Sequence, residues 1–260
     1  MDDGTLRLVD TAVVEAAPLG EKIFVVIPAY NEAKTIADLV RRVQHHVAHV
    51  VVVDDGSADD TAQLLAGTGA GVVRHAVNRG KAASLMSGFR KALAEGATAI
   101  VSLDGDGQHR PDDIPRFLAA MRAHPGDLII GSRLADRAAF PPSRYRANRI
   151  ANFWLSWASG YPIEDSQCGF RVYPRAALEK ISVPTDGRGF VFESEFLIAA
   201  AHAGVRARFV PIPALYDRAP PRASHFRPVA DIAGIVFMVA GKLLRRGMYP
   251  AGLIRLLRGR

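Results

Sequence analysis

The chain of 260 residues has almost no cysteine and no long apolar run. Its one thiol, Cys168, excludes an internal disulfide and is compatible with a reducing cytoplasm. The acidic residues Asp2 and Asp3 stand where a signal peptide would be basic, so we expect no export signal. Low-complexity tracts and fixed-period repeats are absent too, which excludes architectures built from them. The 49% hydrophobic content predicts one main domain with a sizeable core.

Excess negative charge is also lacking, because the formal net charge is +7. The positive charge is unevenly placed: residues 218–260 hold nine Lys or Arg and one acid, Asp231, whereas residues 1–217 carry a net charge of −1. A basic segment confined to one end argues against a general nucleic-acid-binding face and favours one local anionic partner. We therefore expect no nucleic acid among the partners.

Short β-branched runs alternate with helical patterns along the first half of the chain. Residues 23–27, 50–53 and 99–103 are typical of buried parallel strands, and apolar residues recur at helical spacing from Ile36 onward. This alternation predicts an α/β fold with a mostly parallel central sheet and flanking helices.

A polar or acidic cluster follows each of these three strands, at residues 28–32, 54–57 and 104–108. The carboxyl ends of parallel strands meet at one edge of a sheet, and open α/β sheets bind their ligands there. We therefore expect the three clusters to gather on one rim and to form a binding site.

The third cluster reads DGDGQ and places Asp104 and Asp106 one residue apart. Hard oxygen ligands without a Cys or His cage suit Mg²⁺ or Mn²⁺ shared with a phosphate. A plain polar turn is the alternative. A calcium-binding EF-hand loop is excluded, because its sixth and twelfth positions require Gly and Glu and here hold His109 and Pro115.

The pattern near the end predicts a helix over residues 231–246, with an uninterrupted apolar stretch well short of the ~20 residues that span a bilayer. Two interpretations stay open: the helix lies on a membrane surface with basic side chains near lipid phosphates, or it packs on the main domain. Its apolar face consists of Ile232, Ile235, Val236, Val239 and Leu243.

Four short stretches together carry a family resemblance: VIPAYNE (26–32), VDDGS (53–57), DGDGQ (104–108) and QCGFR (167–171). They resemble the family 2 inverting glycosyltransferases with the GT-A fold, with a closer likeness to the dolichyl- or polyprenyl-phosphate mannosyl- and glucosyltransferases. The resemblance covers about residues 23–227. It implies a sugar donor that is a GDP- or UDP-sugar and a Mg²⁺ or Mn²⁺ cofactor.

The resemblance also implies roles for individual residues. The first strand end and the Asp-Asp-Gly-Ser turn hold the nucleotide, Asp104 and Asp106 hold the metal with Gln108 as a further ligand, and basic side chains face the diphosphate. For Lys81, a solvated lysine at a helix start is an equally good interpretation. The implied nucleotide-sugar-binding residues are Pro28, Tyr30, Glu32, Val52, Asp54, Lys81, Asp104, Gly105, Asp106 and Arg133.

Asp165 matches an acidic position in the acceptor region of the family, and with Asp106 and Arg133 it forms the implied catalytic set. A hydroxyl acceptor must lose a proton, which a carboxylate can take. A phosphate acceptor is already an anion, so Asp165 would then only orient groups. Glu193 and Glu195 are rivals for the base, although an exposed or paired helix carboxylate is the plainer interpretation of at least one.

The loop from Tyr216 to Phe226 resembles the mobile loop that closes over the diphosphate or acceptor phosphate in this family. Arg218 fits its basic residue, whereas Ser224 and His225 stand where Ser-Lys is usual. A histidine is charged only part of the time near neutral pH, so this departure bears on a lipid-phosphate acceptor. We expect these three residues to form an acceptor and diphosphate loop.

The resemblance therefore implies transfer of a sugar to a membrane-associated acceptor, with a polyprenyl phosphate favoured and a lipid or small-molecule hydroxyl as the alternative. A nucleotidyltransferase is more remote, because residues 28–32 stand where it usually has a basic Gly-rich loop. A sugar-nucleotide-binding protein without catalysis is the other remote alternative. We expect a cytoplasmic protein, peripheral on the inner face of the membrane if the tail binds lipid, with its oligomeric state open. We divide the chain into a leader (1–21), a GT-A domain (22–215) and a basic loop with an amphipathic helical tail (216–260).

Overall fold

The computed structural model describes residues 20–134, 137–181, 191–215 and 228–258. Within these ranges the β-branched runs form one seven-stranded sheet, with the order β3-β2-β1-β4-β6-β5-β7. The strands are β1 (Ile23–Ala29), β2 (His49–Asp54), β3 (Gly71–Arg74), β4 (Ala99–Ser102), β5 (Leu128–Ser132), β6 (Arg171–Pro174) and β7 (Ala207–Pro211).

Helices connect and flank these strands, so the predicted α/β fold with a mostly parallel sheet is confirmed. A 3₁₀ turn, Pro111–Asp113, leads into the fourth helix. The helices are α1 (Ile36–Gln44), α2 (Thr61–Leu65), α3 (Lys81–Ala94), α4 (Ile114–Ala123), α5 (Pro142–Ser159), α6 (Arg175–Lys180), α7 (Val191–His202), α8 (Pro228–Arg245) and α9 (Pro250–Leu257).

The strand order places a switch point between β1 and β4. The chain continues from β1 to β2 and β3 on one side of β1, whereas β4 pairs with β1 on the other side. After β1 the chain continues to one side of the sheet, and after β4 it continues to the other. The crevice at such a switch point is where open α/β sheets bind ligands. The sheet therefore has a candidate binding crevice at the end of β4, beside the DGDGQ stretch.

Helix α3 packs tightly across β1 and β2 and carries Lys81 at its first position. A Cβ atom at Gly88 would lie 2.3 Å from Cγ1 of Val26, so only glycine permits this close approach. The packing fixes the start of α3 at the carboxyl edge of the sheet, beside the crevice.

Strand β6 was not predicted from the sequence, and neither were the helices α6 and α9. Strand β6 runs antiparallel to β4 and β5, and all four of its residues are buried. Its sequence, RVYP, has a charged residue and a proline in four positions, so no apolar run announces it. The QCGFR stretch consequently ends on a central strand and is held next to β4.

The tail helix packs on the domain. Helix α8 contacts α5 and α7, and its side chains Ile235, Val239 and Leu243 are fully buried. The face predicted as apolar therefore belongs to the protein core. Across the described ranges, the helices are too short or too polar to cross a bilayer. The division into leader, domain and tail stays a prediction, since residues 1–19 and 216–227 lie outside the described residues.

Candidate active site

The loops that follow β1 and β4 touch each other at the switch point. The hydroxyl of Thr35 donates a hydrogen bond of 2.8 Å to the carbonyl oxygen of Gly105. A Cβ atom at Gly105 would lie 3.0 Å from the carbonyl oxygen of Pro28, so glycine allows the two backbones to approach. The predicted gathering of these clusters on one rim is thereby confirmed.

The loop after β1 is tied to the Asp-Asp-Gly-Ser turn after β2. Asn31 adopts a left-handed φ of 56°, and its backbone N–H donates to the hydroxyl of Ser57 at 2.9 Å. The N–H of Glu32 donates to the hydroxyl of Thr61. These bonds hold the predicted nucleotide-binding residues Tyr30 and Glu32 at the crevice, with Tyr30 half-buried.

Two other predicted nucleotide-binding residues, Val52 and Asp54, are buried beneath the crevice. Val52 is in the middle of β2, paired with Ile27 and Val72, and its side chain is fully buried in the core. Its side chain is therefore not exposed in the crevice, and the predicted contact of Val52 with the base stays a prediction. Asp54 is also fully buried; its Oδ1 accepts from the N–H of Ser57 and its Oδ2 lies 3.1 Å from Nε of Arg74.

A compact charged group stands at the carboxyl end of β4, and we call Lys81, Asp104, His109 and Glu193 the strand-end cluster. Nζ of Lys81 lies 2.6 Å from Asp104 and 3.3 Å from Glu193, and Nε2 of His109 lies 3.6 Å from Asp104. Lys81 is therefore an ion-paired residue of the site, and the interpretation of it as a solvated helix-start lysine is wrong.

The charges of this cluster shift its pKa values in opposite directions. Burial alone would lower the pKa of Lys81, but the carboxylates of Asp104 and Glu193 raise it above its ordinary value. Burial alone would raise the pKa of Asp104, but Lys81 and His109 hold it well below the usual range. Lys81 and Asp104 are therefore both charged near neutral pH.

Asp106 has a different environment from Asp104. Its pKa is raised by burial and by the nearby negative charge of Asp104. Its Oδ1 accepts from the backbone N–H of Gln108, a predicted metal ligand whose side chain is half-buried. An added cation stabilises the charged form of a carboxylate with a raised pKa more than that of a carboxylate already paired with a lysine.

The carboxylates fit a hard divalent cation that is shared with a phosphate. A Cβ atom at Gly169 would lie 2.3 Å from Oδ2 of Asp104, so this glycine keeps the space beside the carboxylate open. In the described part of the chain, no three His, Cys, Asp or Glu side chains gather into a metal-holding group. Mg²⁺ is commonly bound by one or two carboxylates with substrate phosphates, which is the donor set that Asp104 and Asp106 supply.

Asp55 and His75 hold the start of α3. The sequence placed Asp55 in the Asp-Asp-Gly-Ser turn but gave it no role of its own, and it gave no indication that His75 belongs to the site. The carboxylate of Asp55 accepts from the backbone N–H groups of Arg79 and Gly80 at 2.9 and 2.7 Å. Nδ1 of His75 lies 2.6 Å from the same carboxylate, and its Nε2 lies 3.0 Å from the hydroxyl of Ser87. This clamp anchors the backbone directly before Lys81. The only sequence signal for it was the Asp-Asp-Gly-Ser turn.

On the other side of β6, Arg133 and Asp165 form a buried ion pair. Nε and Nη2 of Arg133 donate to the two carboxylate oxygens of Asp165 at 2.8 and 3.0 Å. Asp165 is fully buried, and its pKa lies below the ordinary value because Arg133 outweighs the effect of burial. The guanidinium of Arg133 also stacks 5.7 Å from the ring centre of Phe140.

Arg171 joins the two sides of the site. It is fully buried, and its guanidinium donates to the carbonyl oxygens of Ser166, Cys168 and Glu193. It thereby ties the segment after Asp165 to the helix that carries Glu193.

Cys168 is fully buried as well, and burial raises the pKa of its thiol to about 12, so it acts as a packed residue.

The two rival carboxylates on α7 are both paired. Glu193 is buried beside Lys81, and Glu195 lies 3.1 Å from Nζ of Lys242 on α8. Glu195 thus links two helices, and Glu193 belongs to the strand-end cluster. The predicted acceptor-loop residues Arg218, Ser224 and His225 lie outside the described residues, so their role stays a prediction.

Known proteins share both the sequence and the fold. Residues 24–182 match the model of the glycosyl transferase family 2. The polyprenol monophosphomannose synthase of Mycolicibacterium smegmatis is 34% identical over 204 residues, which cover 74% of this chain and 77% of that one. The UDP-N-acetylglucosamine–dolichyl-phosphate N-acetylglucosaminyltransferase of Methanococcus voltae is 29% identical over 216 residues, covering 75% and 86%.

A solved structure has the same architecture. Glucosyl-3-phosphoglycerate synthase from Mycobacterium tuberculosis, in complex with Mn²⁺, UDP-glucose and phosphoglyceric acid, superposes with a TM-score of 0.64 at 22% identity, covering 87% of this chain and 80% of that one. The fold is therefore the GT-A fold of glycosyltransferases. With the family match spanning more than half of its length, this chain belongs to glycosyltransferase family 2.

Proposed function

We propose that this enzyme transfers a sugar, with inversion, from a nucleoside-diphosphate sugar to a polyprenyl phosphate at a membrane surface. The observation that carries the proposal is the strand-end cluster at the β1–β4 switch point, where Lys81 and two carboxylates meet. The relatives named above support the acceptor class, since their names specify polyprenol or dolichyl-phosphate chemistry.

The donor lies along the crevice in this proposal. Tyr30 offers a flat face for the base, Glu32 accepts from ribose hydroxyls, and the buried carboxylate of Asp54 fixes the turn beneath the base. Lys81 holds the diphosphate through charge-assisted hydrogen bonds. Asp104 and Asp106 hold Mg²⁺ or Mn²⁺ next to it. When bound, such a cation neutralises charge that develops on the departing diphosphate.

The acceptor approaches from the side of Arg133 and Asp165. Both oxygens of Asp165 accept from Arg133, and the carboxylate is fully buried with a lowered pKa. A group in this state is a poor proton acceptor, but it holds a guanidinium in a fixed orientation. We infer that Asp165 positions Arg133, and that Arg133 attracts an acceptor that is already an anion. A phosphate acceptor needs no base.

The test is a transfer assay with purified enzyme and Mg²⁺ or Mn²⁺. Each of a panel of UDP- and GDP-sugars is paired with a polyprenyl phosphate and, separately, with the corresponding polyprenol. We expect transfer to the phosphate alone, with one nucleotide preferred, and inversion at the anomeric carbon by NMR of the product. Transfer to the polyprenol at a comparable rate would replace the acceptor class by a hydroxyl. Donor binding without transfer or hydrolysis would reject the enzyme.

A further inference from the structure

Seven of the ten large apolar side chains that are exposed in the described part of the chain lie on α5, on α8, on α9 or in the α8–α9 turn. Phe237 and Leu257 are 77% and 75% exposed. The members are Ile150, Phe153, Phe237, Leu244, Met248, Ile254 and Leu257. We call the exposed faces of these three helices the helical surface. Such a concentration of exposed apolar side chains marks an interaction site.

The apolar positions on each helix share one stripe. On α8, Phe237 and Leu244 are seven residues apart, and Met248 follows four residues later in the turn after the helix. On α5, Ile150, Phe153 and Trp157 have spacings of three and four. These are the spacings of a single helix face. On α8 this face is distinct from the one that carries the buried Ile235 and Val239.

An aromatic cluster on α5 lies against the turn that follows α8. The rings of Phe153 and Trp157 are 6.3 Å apart, and those of Trp154 and Trp157 stack at 5.6 Å. The indole N–H of Trp157 donates to the carbonyl oxygen of Tyr249, in the turn between α8 and α9. The helical surface is therefore continuous across the α5–α8–α9 junction, and it carries the amphipathic aromatic residues that favour a membrane interface.

Its charge is almost all positive. Helices α5, α8 and α9, with the α8–α9 turn and Arg258 directly after α9, hold eight Lys or Arg and one acid, Asp231, in the first turn of α8. Lys242 pairs with Glu195, whereas the six exposed arginines are Arg146, Arg149, Arg245, Arg246, Arg255 and Arg258. Apolar stripes beside arginines with a single acidic residue complement an anionic lipid surface, because apolar groups enter the acyl boundary and arginines bind phosphates.

We infer that the helical surface binds the surface of an anionic lipid bilayer, with α8 and α9 lying in the interface plane and α5 joining them to the active site. A second, buried face of α5 supports this arrangement. There, Asn152 accepts from the N–H of Ser166, and Ser156 accepts from the N–H of Ile163, which together hold the segment that carries Asp165. The acceptor side of the site is thus one helix away from the bilayer.

The experiment is co-sedimentation of the full chain with vesicles, without sugar donor or acceptor. Vesicles of phosphatidylglycerol and phosphatidylcholine are compared with vesicles of phosphatidylcholine alone, over a series of salt concentrations. We expect binding to the anionic vesicles that weakens as salt rises. Replacing Arg246, Arg255 and Arg258 by Gln should weaken it about fivefold per residue, or about 100-fold together. Binding that is absent, or that ignores lipid charge and salt, would overturn the inference.

A matched pair of variants tests the apolar part. Phe237→Ser/Leu244→Ser/Leu257→Ser should bind at least about 100-fold more weakly. The control Leu64→Ser/Val72→Ser/Val77→Ser alters the three exposed apolar residues outside the helical surface and should bind like the parent. Equal losses in both variants would contradict the inference. So would a parent dimer that the first variant converts to monomers, because a second copy would then occupy the surface.

Tryptophan fluorescence gives a readout that needs no mutation, because Trp154 and Trp157 are the only two tryptophans in the chain. We expect a blue shift with anionic vesicles and quenching by brominated lipid. The role of the surface in delivering acceptor rests on the proposed function, but the two fail separately. Vesicle binding without sugar transfer rejects the proposed function alone, and transfer to a soluble short-chain polyprenyl phosphate without vesicle binding rejects the surface alone.

Discussion

The strand-end cluster and the Arg133–Asp165 pair both consist of buried or half-buried charged side chains next to β6. They differ in the ratio of positive to negative groups. In the cluster, one lysine faces two carboxylates, and Asp106 lies nearby with a raised pKa. In the pair, one guanidinium meets one carboxylate through two hydrogen bonds, and the charge is neutral overall. In the cluster the carboxylates therefore outnumber the one lysine, whereas in the pair one cation matches one anion.

We therefore expect the cluster to bind the cation of the proposed function and the pair to act by positioning Arg133. A divalent cation and a diphosphate would bring charges of opposite sign to the cluster, where Asp104 and Asp106 would hold the cation and Lys81 would pair with a phosphate. Opening the Arg133–Asp165 pair would leave a buried charge without its partner, which is costly. The cluster should consequently control turnover, whereas the pair should control folding stability and the orientation of Arg133.

Asp104→Asn should have the largest effect on activity. It removes one charged ligand of the proposed cation and a partner of Lys81. Loss of a metal ligand costs several kcal/mol of transition-state stabilisation, so kcat should fall about 10³-fold or more with the fold intact. Steady-state transfer assays with Mn²⁺ titration and a thermal melt would measure both quantities.

The control for that variant is Asp112→Asn, which changes an exposed carboxylate eight residues away that pairs with Arg42. It should keep parental kcat, because a surface ion pair contributes at most about 1 kcal/mol to stability and nothing to the site. Parental activity of Asp104→Asn, or full activity in excess chelator, would show that the cluster holds no catalytic cation.

Asp165→Asn should have the largest effect on stability. The amide leaves the guanidinium of Arg133 buried without a counter-charge, and breaking a buried pair in this way costs about 3–5 kcal/mol. Denaturant unfolding should show this loss, and Arg133→Gln/Asp165→Asn should recover part of it because the orphaned charge is gone. A double variant that is less stable than the single one would contradict the buried-pair assignment.

Transfer by the folded fraction of Asp165→Asn should fall by less than about 30-fold, which is below the 10²–10⁴-fold that a general base typically contributes. The matching measurement is kcat normalised to folded enzyme, with donor affinity determined in parallel. A collapse of kcat to background with donor binding intact would instead make Asp165 the base for a hydroxyl acceptor.

The same pair should give stability a defined pH dependence. Because the pKa of Asp165 is lower in the folded state than its ordinary value of 3.8, its contribution is present above that value and is lost as pH falls. The stability gap between the parent and Asp165→Asn should therefore be widest above about pH 4 and narrow below it. Unfolding curves of both proteins from neutral to acidic pH would check this.

The strand-end cluster and the Arg133–Asp165 pair also differ in how far the sequence predicts them. The cluster residue Asp104 was predictable because it directly follows a β-branched strand, so local order alone placed it at the rim. The pairing of Arg133 with Asp165 was not, because the two residues are 32 positions apart and meet only through the antiparallel placement of β6 between β4 and β5. No periodicity in the sequence encodes that insertion.

The tail helix and Val52 also show features that the sequence pattern alone does not determine. The apolar face of the tail helix was predicted, but the pattern could not tell whether protein or lipid covers it; the packing of Ile235 and Val239 against neighbouring helices decides that for this face. Val52 matched a motif, but its side chain points into the core, because strand pairing sets which side of the sheet each residue faces. Both outcomes depend on tertiary contacts.

Lys81→Met should have a smaller effect than the two aspartate variants. It removes a charge-assisted hydrogen bond to the diphosphate, which contributes about 1.5–3 kcal/mol, so affinity for the nucleoside diphosphate should fall about 10- to 150-fold. The control Lys91→Met alters a half-buried lysine on the same helix that pairs with Glu95, and it should bind the nucleotide normally. Isothermal titration with UDP and GDP would measure both, and equal affinities would exclude Lys81 from the donor site.

His75→Phe should have the smallest effect, and it tests whether the Asp55 clamp positions Lys81. The substitution removes the 2.6 Å contact to Asp55 but keeps the two backbone N–H bonds that Asp55 accepts, so we expect a loss of about 1–2 kcal/mol in stability. Ser87→Ala removes only the outer partner of the same histidine and should cost less. If the clamp orients Lys81, His75→Phe should also raise the KM for donor a few-fold. This increase should vanish in the Lys81→Met background, because the effects of two substitutions that act through one group are not additive. An equal increase in both backgrounds would mean that the clamp stabilises the fold without positioning the lysine.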